Sequence, residues 1–278
     1  VLVLARNDAA ARAISARGGL QVEGSPVAEV AVSPRPELLA DSDFVLIAVK
    51  APDTEAALRP LRGVLPSATA VVSLQNGLEA VAQITRALGE RTPIALGPTT
   101  EASLLLGPGH VRRTGLGATT LGWAQGRAGG SMLDSLATLL SYRGLAASVA
   151  RPIEPHVWAK AVVNAAINPL SALARVSNGA LLERPELAER LFAIAREAAA
   201  VAAAAGLRLP FDDAAAYVAA VARATAQNRS SMLQDLERGR PTEIDAIDGA
   251  IVRAALRLGV AVPETTRVLD EVRARSEA

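Results

Sequence analysis

Two residues stand out by scarcity. Lys and Arg total 29, yet only Lys50 and Lys160 are lysines. Arginine is effectively always protonated and is a poor proton donor, whereas burial can lower a lysine's pKa until it gives up its proton. The bland alternative is chance placement of a rare residue type. Lys160 lies in the segment Trp158-Ala-Lys160-Ala-Val-Val-Asn164-Ala-Ala-Ile-Asn168-Pro-Leu170. Lys160, Asn164 and Asn168 are four apart, on one face of a helix whose other residues are apolar. A buried polar group left unpaired costs about 1–3 kcal/mol. The stripe therefore needs either an inter-helix hydrogen-bond ladder or a polar ligand, and a ladder does not require the scarce lysine. Asn168-Pro169 predicts a helix end or kink, and Asn178-Gly179 a turn.

More polar residues follow short apolar runs. Arg6 follows Val1–Ala5, and Lys50 follows Phe44–Val49. Gln75-Asn76-Gly77 follows Ala70–Leu74, and Pro98-Thr99-Thr100 follows Pro93–Leu96 after Gly97. Each run is short and rich in branched residues, as expected of strands covered on both faces of a parallel sheet. Helical patterns at 7–17, 53–61 and 78–88 alternate with them, the rhythm of a doubly wound α/β fold. In such a sheet the carboxyl ends of the strands form the ligand crevice. One polar residue there is an ordinary loop, but four such positions describe a site. If Val1–Ala5 is the second strand of a dinucleotide fold, Arg6 faces the adenosine ribose and suits a 2′-phosphate, hence NADP. Residues 111–122 read as later, partly antiparallel strands. The stretch 126–130 shows no preceding strand and reads as a loop.

Beyond about residue 150 the strand signals stop. Helices are expected over 153–174, 185–205, 212–237, 243–258 and 264–276, separated by Gly206 with Pro210, Gly239 with Pro241, and Gly259 with Pro263. The expected organisation is a domain over 1–149 and an all-helical domain over 150–278. Thr242 and Asp245 have capping-box spacing, and Glu243 suits the helix dipole as a first-turn acid. Ser230 and Ser231 read as hydroxyls inside a helix, where packing or back-bonding is their usual role. His110 and His156 are far apart and have no paired ligand spacing, so no metal is expected.

Composition narrows the classes. The chain has 278 residues, 50% of them hydrophobic and 21% charged, with a net charge of +1. It can build sizeable cores and carries no basic surplus for a nucleic-acid backbone. Without cysteine there is no disulfide, thiolate metal site or cysteine nucleophile. No run of 18 uncharged apolar residues suggests a membrane span, and a cytoplasmic enzyme or binding protein is expected. The alanine-rich helices leave room for a homodimer.

The segments VLVLAR, VLIAVKAPDTEAAL, SLQNGLE, WAKAVVNAAINPLSAL with SNG after it, SSMLQDLERGRPTEIDAIDGAI and GVAVPETT together resemble the ketopantoate reductase (2-dehydropantoate 2-reductase) family. The resemblance implies an α/β, Rossmann-like doubly wound sheet followed by an all-α domain like the C-terminal domain of 6-phosphogluconate dehydrogenase, with the site in the cleft between them. It implies NADPH-dependent reduction of 2-dehydropantoate to pantoate, in pantothenate and coenzyme A biosynthesis. Carried over, Lys160 is the proton donor, with Glu243 near it and near the nicotinamide ribose. Asn76, Asn164, Asn168, Asn178 and Ser231 hold the substrate. Arg6, Lys50, Asn76, Ser103 and Glu243 contact the cofactor, the match at Ser103 being loose because the family often has Ala there. Burial lowers the lysine's pKa while Glu243 raises it, and the sequence leaves that balance open.

The family's glycine-rich phosphate loop has no counterpart, since no G-x-G-x-x-G occurs in the chain. A βαβ unit takes roughly 30 residues, so about 25 residues are expected ahead of Val1. As written, the chain is expected to bind NADPH poorly and to leave strands unpaired. The alternatives are reduction of another 2-oxo acid, or a non-catalytic truncated homologue acting as a dimer or binding module. Retention of Lys160, Asn164, Asn168, Ser231 and Glu243 argues against the second.

Overall fold

The computed structural model describes residues 1–126 and 131–276. It divides into two compact units, one of Val1–Val49, Asp53–Leu74 and Val81–Pro152, the other of Lys50–Pro52, Gln75–Ala80 and Ile153–Ala278.

The first unit is α/β. Its elements are β1 (Leu2–Leu4), α1 (Asp8–Ser15), β2 (Gln21–Val22), β3 (Ala31–Ser33), β4 (Phe44–Ile47), α2 (Thr54–Leu58), β5 (Ala70–Ser73), α3 (Ala80–Leu88), β6 (Ile94–Leu96), β7 (Ala102–Gly107), β8 (His110–Gly115), β9 (Ala118–Gln125), α4 (Met132–Tyr142) and β10 (Ala146–Val149). The main sheet has the order β10-β9-β6-β5-β4. Strands β4, β5 and β6 run parallel, and β9 joins antiparallel to β6. All four residues of β5 are buried. Ala70 and Val72 pack with Leu121, Leu133 and Leu136 in the sheet's core. This is why the run carries no polar alternation: both faces are covered. β1 pairs in parallel with β3 as a separate two-stranded piece, and β2-β8-β7 forms a third sheet.

Several expectations need correction here. The predicted helix over 53–61 is one short α-helix flanked by 3-10 turns at Ala51–Asp53 and Arg59–Leu61, since Pro52 and Pro60 cannot continue an α-helical ladder. The region 111–122 holds β8 and most of β9, and β9 runs on to Gln125, so Gly126 does follow a strand. Residues 127–130 of that stretch lie outside the described residues.

The second unit is helical: α5 (Glu154–Ala174), α6 (Ala180–Glu183), α7 (Pro185–Ala204), α8 (Ala214–Ala224), α9 (Ser231–Glu237), α10 (Ile244–Leu258) and α11 (Pro263–Ser276). Its core joins Val162, Ala166 and Leu170 of α5 to Ile194 and Ala198 of α7 and Ile247 and Ile251 of α10. The small side chains of α5 and α7 allow the close approach that such packing uses.

Here too the structure departs from the sequence reading. α5 runs through Pro169 to Ala174, because the helix is packed on several sides and tertiary burial outweighs one lost backbone bond. The single helix expected over 212–237 is two, α8 and α9. Asp213 caps the first and Ser230 the second, each accepting from the backbone N–H three residues on. Ser230 and Ser231 are therefore at a helix start and not in its interior. The capping box at Thr242 does not form. Glu243 is the residue preceding α10, and Asp245 pairs with Arg273.

Candidate functional site

Two loops of the first half belong by their contacts to the helical unit: Lys50–Pro52 after β4 and Gln75–Ala80 after β5. The second is docked by its backbone. Leu78 N–H donates to Ala246 O at 3.3 Å, and the Leu78 side chain joins the helical core. Gly77 has φ 91°, and a Cβ there would collide with the carbonyl of Ala246. Glu79 accepts from both Nε and Nη2 of Arg253, at 3.1 and 2.8 Å. The loop has little freedom, so Asn76 is held in one place.

Asn76 is the hinge of a polar chain. Its Nδ2 donates to Glu243 Oε2 at 2.8 Å, and its Oδ1 accepts from Asn164 Nδ2 at 3.3 Å. Glu243 Oε1 accepts from Ala51 N–H at 3.3 Å. Glu243 thus receives donors from both strand-end loops, which a first-turn acid serving only the dipole does not require. Lys160 lies one turn before Asn164 on α5. Burial pushes its ammonium down from 10.5 to about 8, the negative charge of Glu243 opposing the fall. Desolvation therefore wins the balance, leaving a half-buried lysine that can donate a proton near neutral pH.

Asn168 is buried one turn further along α5. Ser171 follows it, fully buried, and its Oγ donates to Asn168 O at 3.0 Å and lies 2.6 Å from Ser230 Oγ. This hydroxyl pair ties α5 to the start of α9, where Ser231 is exposed. Asn178 is buried, its Nδ2 donating to Thr225 Oγ1 at 2.9 Å, while its Oδ1 has no hydrogen-bond partner. Its backbone N–H donates to Asn228 O at 3.0 Å. The turn therefore anchors the α8–α9 connection, which is more than its Asn-Gly spelling requires.

The expected cofactor contacts divide. Lys50 Nζ is 2.7 Å from Asp235 Oδ1 and donates to Pro241 O at 2.9 Å. Arg6 extends from the end of β1 with a side chain 77% exposed and pairs with Asp53 at 3.2 Å. Ser103 is exposed on β7, in the three-stranded sheet and opposite Arg113, so it and Arg6 belong to the first unit while the other candidates cluster in the second. Thr99 and Thr100 are taken up by β9: Thr119 Oγ1 donates to Thr99 Oγ1 at 2.9 Å and Ala118 N–H to Thr100 Oγ1 at 2.9 Å. Asp235, Ser171 and Thr225 were not singled out from sequence. Asp235 carried a signal, since it is four residues after Ser231 and so shares its helix face. Among the described residues no group of His, Asp and Glu could hold a metal ion.

Residues 1–126 match the family described as ketopantoate reductase PanE/ApbA, and residues 152–276 match its C-terminal part, ketopantoate reductase PanE/ApbA C terminal. The 2-dehydropantoate 2-reductase of Archaeoglobus fulgidus is 41% identical over 92% of this chain and 83% of its own length. Among solved structures, a PanE/ApbA family ketopantoate reductase from Ralstonia eutropha JMP134 is similar with a TM-score of 0.88 at 30% identity, covering 100% of this chain and 90% of that one. D-mandelate dehydrogenase, solved with NADH and anilino(oxo)acetate, has a TM-score of 0.88 at 27% identity, with 100% and 91% covered. Both halves of the chain find the same relatives, and the sheet and helical unit described above are shared with them. The chain belongs to the ketopantoate reductase family.

Proposed function

We propose that this protein reduces 2-dehydropantoate to pantoate with NADPH, and that Lys160 delivers the proton. The observation that carries the proposal is the placement of a lysine of lowered pKa beside Glu243, on the same helix face as Asn164 and Asn168. The donor set suits a phosphorylated dinucleotide. Arg6 offers an exposed guanidinium to a 2′-phosphate, Lys50 has one ammonium proton beyond the two directed at Asp235 and Pro241, and Asn76 offers a side-chain amide. Asn76 and Glu243 serve the nicotinamide ribose, and Ser103 is a further cofactor contact in this reading.

Reduced nicotinamide, when bound, supplies the hydride that the keto carbon receives. The chain's own task is the carbonyl oxygen. An Nζ–H of Lys160 polarises it, stabilises the negative charge that grows there, and then transfers its proton to it. Neutral Lys160 recovers a proton from water at a pKa of about 8. Glu243 keeps the pKa from falling further. Asn164, Asn168, Asn178 and Ser231 hold the carboxylate and hydroxyl of the substrate through their amides and hydroxyl. This reaction belongs to pantothenate and coenzyme A biosynthesis, a cytoplasmic task, and among the described residues no helix is long and apolar enough to cross a membrane. A homodimer through the alanine-rich helices is part of the same reading.

A second substrate reading rests on the equal TM-score to D-mandelate dehydrogenase. The same lysine and asparagines would serve a 2-oxo acid with a different side chain. Oxidation of NADPH by the protein with 2-dehydropantoate, and with an aromatic 2-oxo acid beside it, separates the two. Lys160→Ala is expected to lower kcat by about 10²–10⁴-fold. An unchanged rate in that variant overturns the role of Lys160, and faster turnover of the aromatic acid overturns the substrate.

A further inference from the structure

Lys50 and Asp235 make an ion pair that substrate chemistry does not call for. Lys50 is on the loop after β4, and Asp235 is on α9 with only 11% of its side chain exposed. The ammonium is 2.7 Å from Asp235 Oδ1 and 2.9 Å from the carbonyl oxygen of Pro241. It therefore pins both ends of the connection from α9 to α10, one end by the charge on Asp235 and the other by a backbone oxygen. Two residues beyond Pro241 is Glu243. The neighbour of Lys50, Ala51, donates its N–H to Glu243 Oε1. Loop, connection and carboxylate form one closed ring of contacts, and Asp235 is its charged member on α9.

We propose that Asp235 is a positioning residue: by holding the Lys50 ammonium against Pro241 O, it fixes the α9–α10 connection that sets Glu243 beside Lys160. The inference rests on the reading of Lys160 and Glu243 given above. A buried acid on α9 without this task would serve equally well as an amide. Here the charge matters, because the Lys50 ammonium that reaches Pro241 O is held from the other side by a carboxylate, a charge-assisted bond stronger than the one a neutral amide would give. The third ammonium proton of Lys50 remains for a cofactor, and Asp235 itself touches neither substrate nor cofactor in this account.

The two lysines make a direct test available. Lysine labelled with ¹³C at Cε gives one signal for each, and the titration of Lys160 is read in the protein with no ligand added. Asp235→Ala releases the connection, Glu243 draws away, and the Lys160 midpoint falls by about 0.5 in pH or more, since the charge that raises it is further off. In a Glu243→Gln background, Asp235→Ala has nothing left to act through and leaves the Lys160 midpoint where Glu243→Gln alone puts it. Equal shifts in both backgrounds mean a direct field effect and overturn the proposal, as does no shift in either. Asp235→Asn guards against misfolding and is expected to shift the midpoint in the same direction. Kinetics keep the two levels apart: a dead Lys160→Ala with Asp235→Ala unchanged in kcat and its pH profile defeats the positioning role alone, whereas an unaffected Lys160→Ala defeats the function from which it was inferred.

Discussion

Replacing Lys160 by Met should make the protein more stable, and the gain should depend on pH in a way set by the lysine's own titration. Its ammonium ionises at about 8 in the folded protein against 10.5 as a free side chain. Below pH 8 both folded and unfolded chains carry the proton, and the folded state bears the whole cost of keeping a desolvated charge. At 1.36 kcal/mol for each unit of pKa that cost is about 3 kcal/mol. Between pH 8 and 10.5 the unfolded chain holds the proton and the folded one does not, so the parent's stability rises with pH. Above 10.5 the cost has gone. Methionine fills a similar shape without the charge. Lys160→Met is therefore expected to exceed the parent by up to about 3 kcal/mol at pH 7, and the margin should shrink steadily toward pH 10.5. The favourable pair with Glu243 is already contained in that net value, and Glu243 keeps the N–H of Ala51 and the amide of Asn76 once the ammonium is gone. Urea unfolding at pH 7, 8.5 and 10 measures it. A variant less stable than the parent by the same amount at every pH would mean that the lysine is held for structure and not at a cost.

Two further outcomes follow from the same contacts. Asp248 on α10 is 0% exposed, neither carboxylate oxygen has a hydrogen-bond partner, and burial holds its pKa well above the usual carboxylate range, outweighing the opposing pull of its own backbone. The folded state then keeps a proton that the unfolded chain loses near pH 4, and stability falls by about 1.4 kcal/mol for each pH unit above that point. Asp248→Asn should flatten this slope in urea titrations on the alkaline side of that point; parallel curves for parent and variant would contradict it. Gly77→Ala puts a Cβ at φ 91° against the Ala246 carbonyl and should cost about 1–3 kcal/mol by thermal melts. It should also lower kcat by shifting Asn76, and an unchanged melt would show that the loop gives way freely.

Much of the positional logic was legible in the spelling. Strands β4, β5 and β6 announced themselves as short runs rich in branched residues, and β5, at the centre of the three, is buried along its whole length. The stripe on α5 was readable because a helix repeats its face every three to four residues. Legibility ended where long-range packing overrode a local rule. Pro169 looks like a helix end, yet α5 continues because buried neighbours surround it. Residues 212–237 look like one helix, yet Ser230 is drawn to Ser171 across 59 positions and caps a new one. The partners of the site were least visible. No spacing rule links Asn76 to Glu243 or Lys50 to Asp235, 167 and 185 residues apart, because those pairs are made by topology and not by periodicity.

The proton-donor role of Lys160 is tested by its titration measured twice, once as an equilibrium and once as a rate. The ¹³Cε signal of Lys160 is expected to move with a midpoint near 8 in the free protein. The alkaline limb of kcat/KM for the 2-oxo acid should fall with that same midpoint, because kcat/KM reports the groups of the free enzyme. Agreement of the two curves identifies the ammonium as the proton source. A Lys160 signal still protonated at pH 10, or a rate that holds level while the signal titrates, would contradict it.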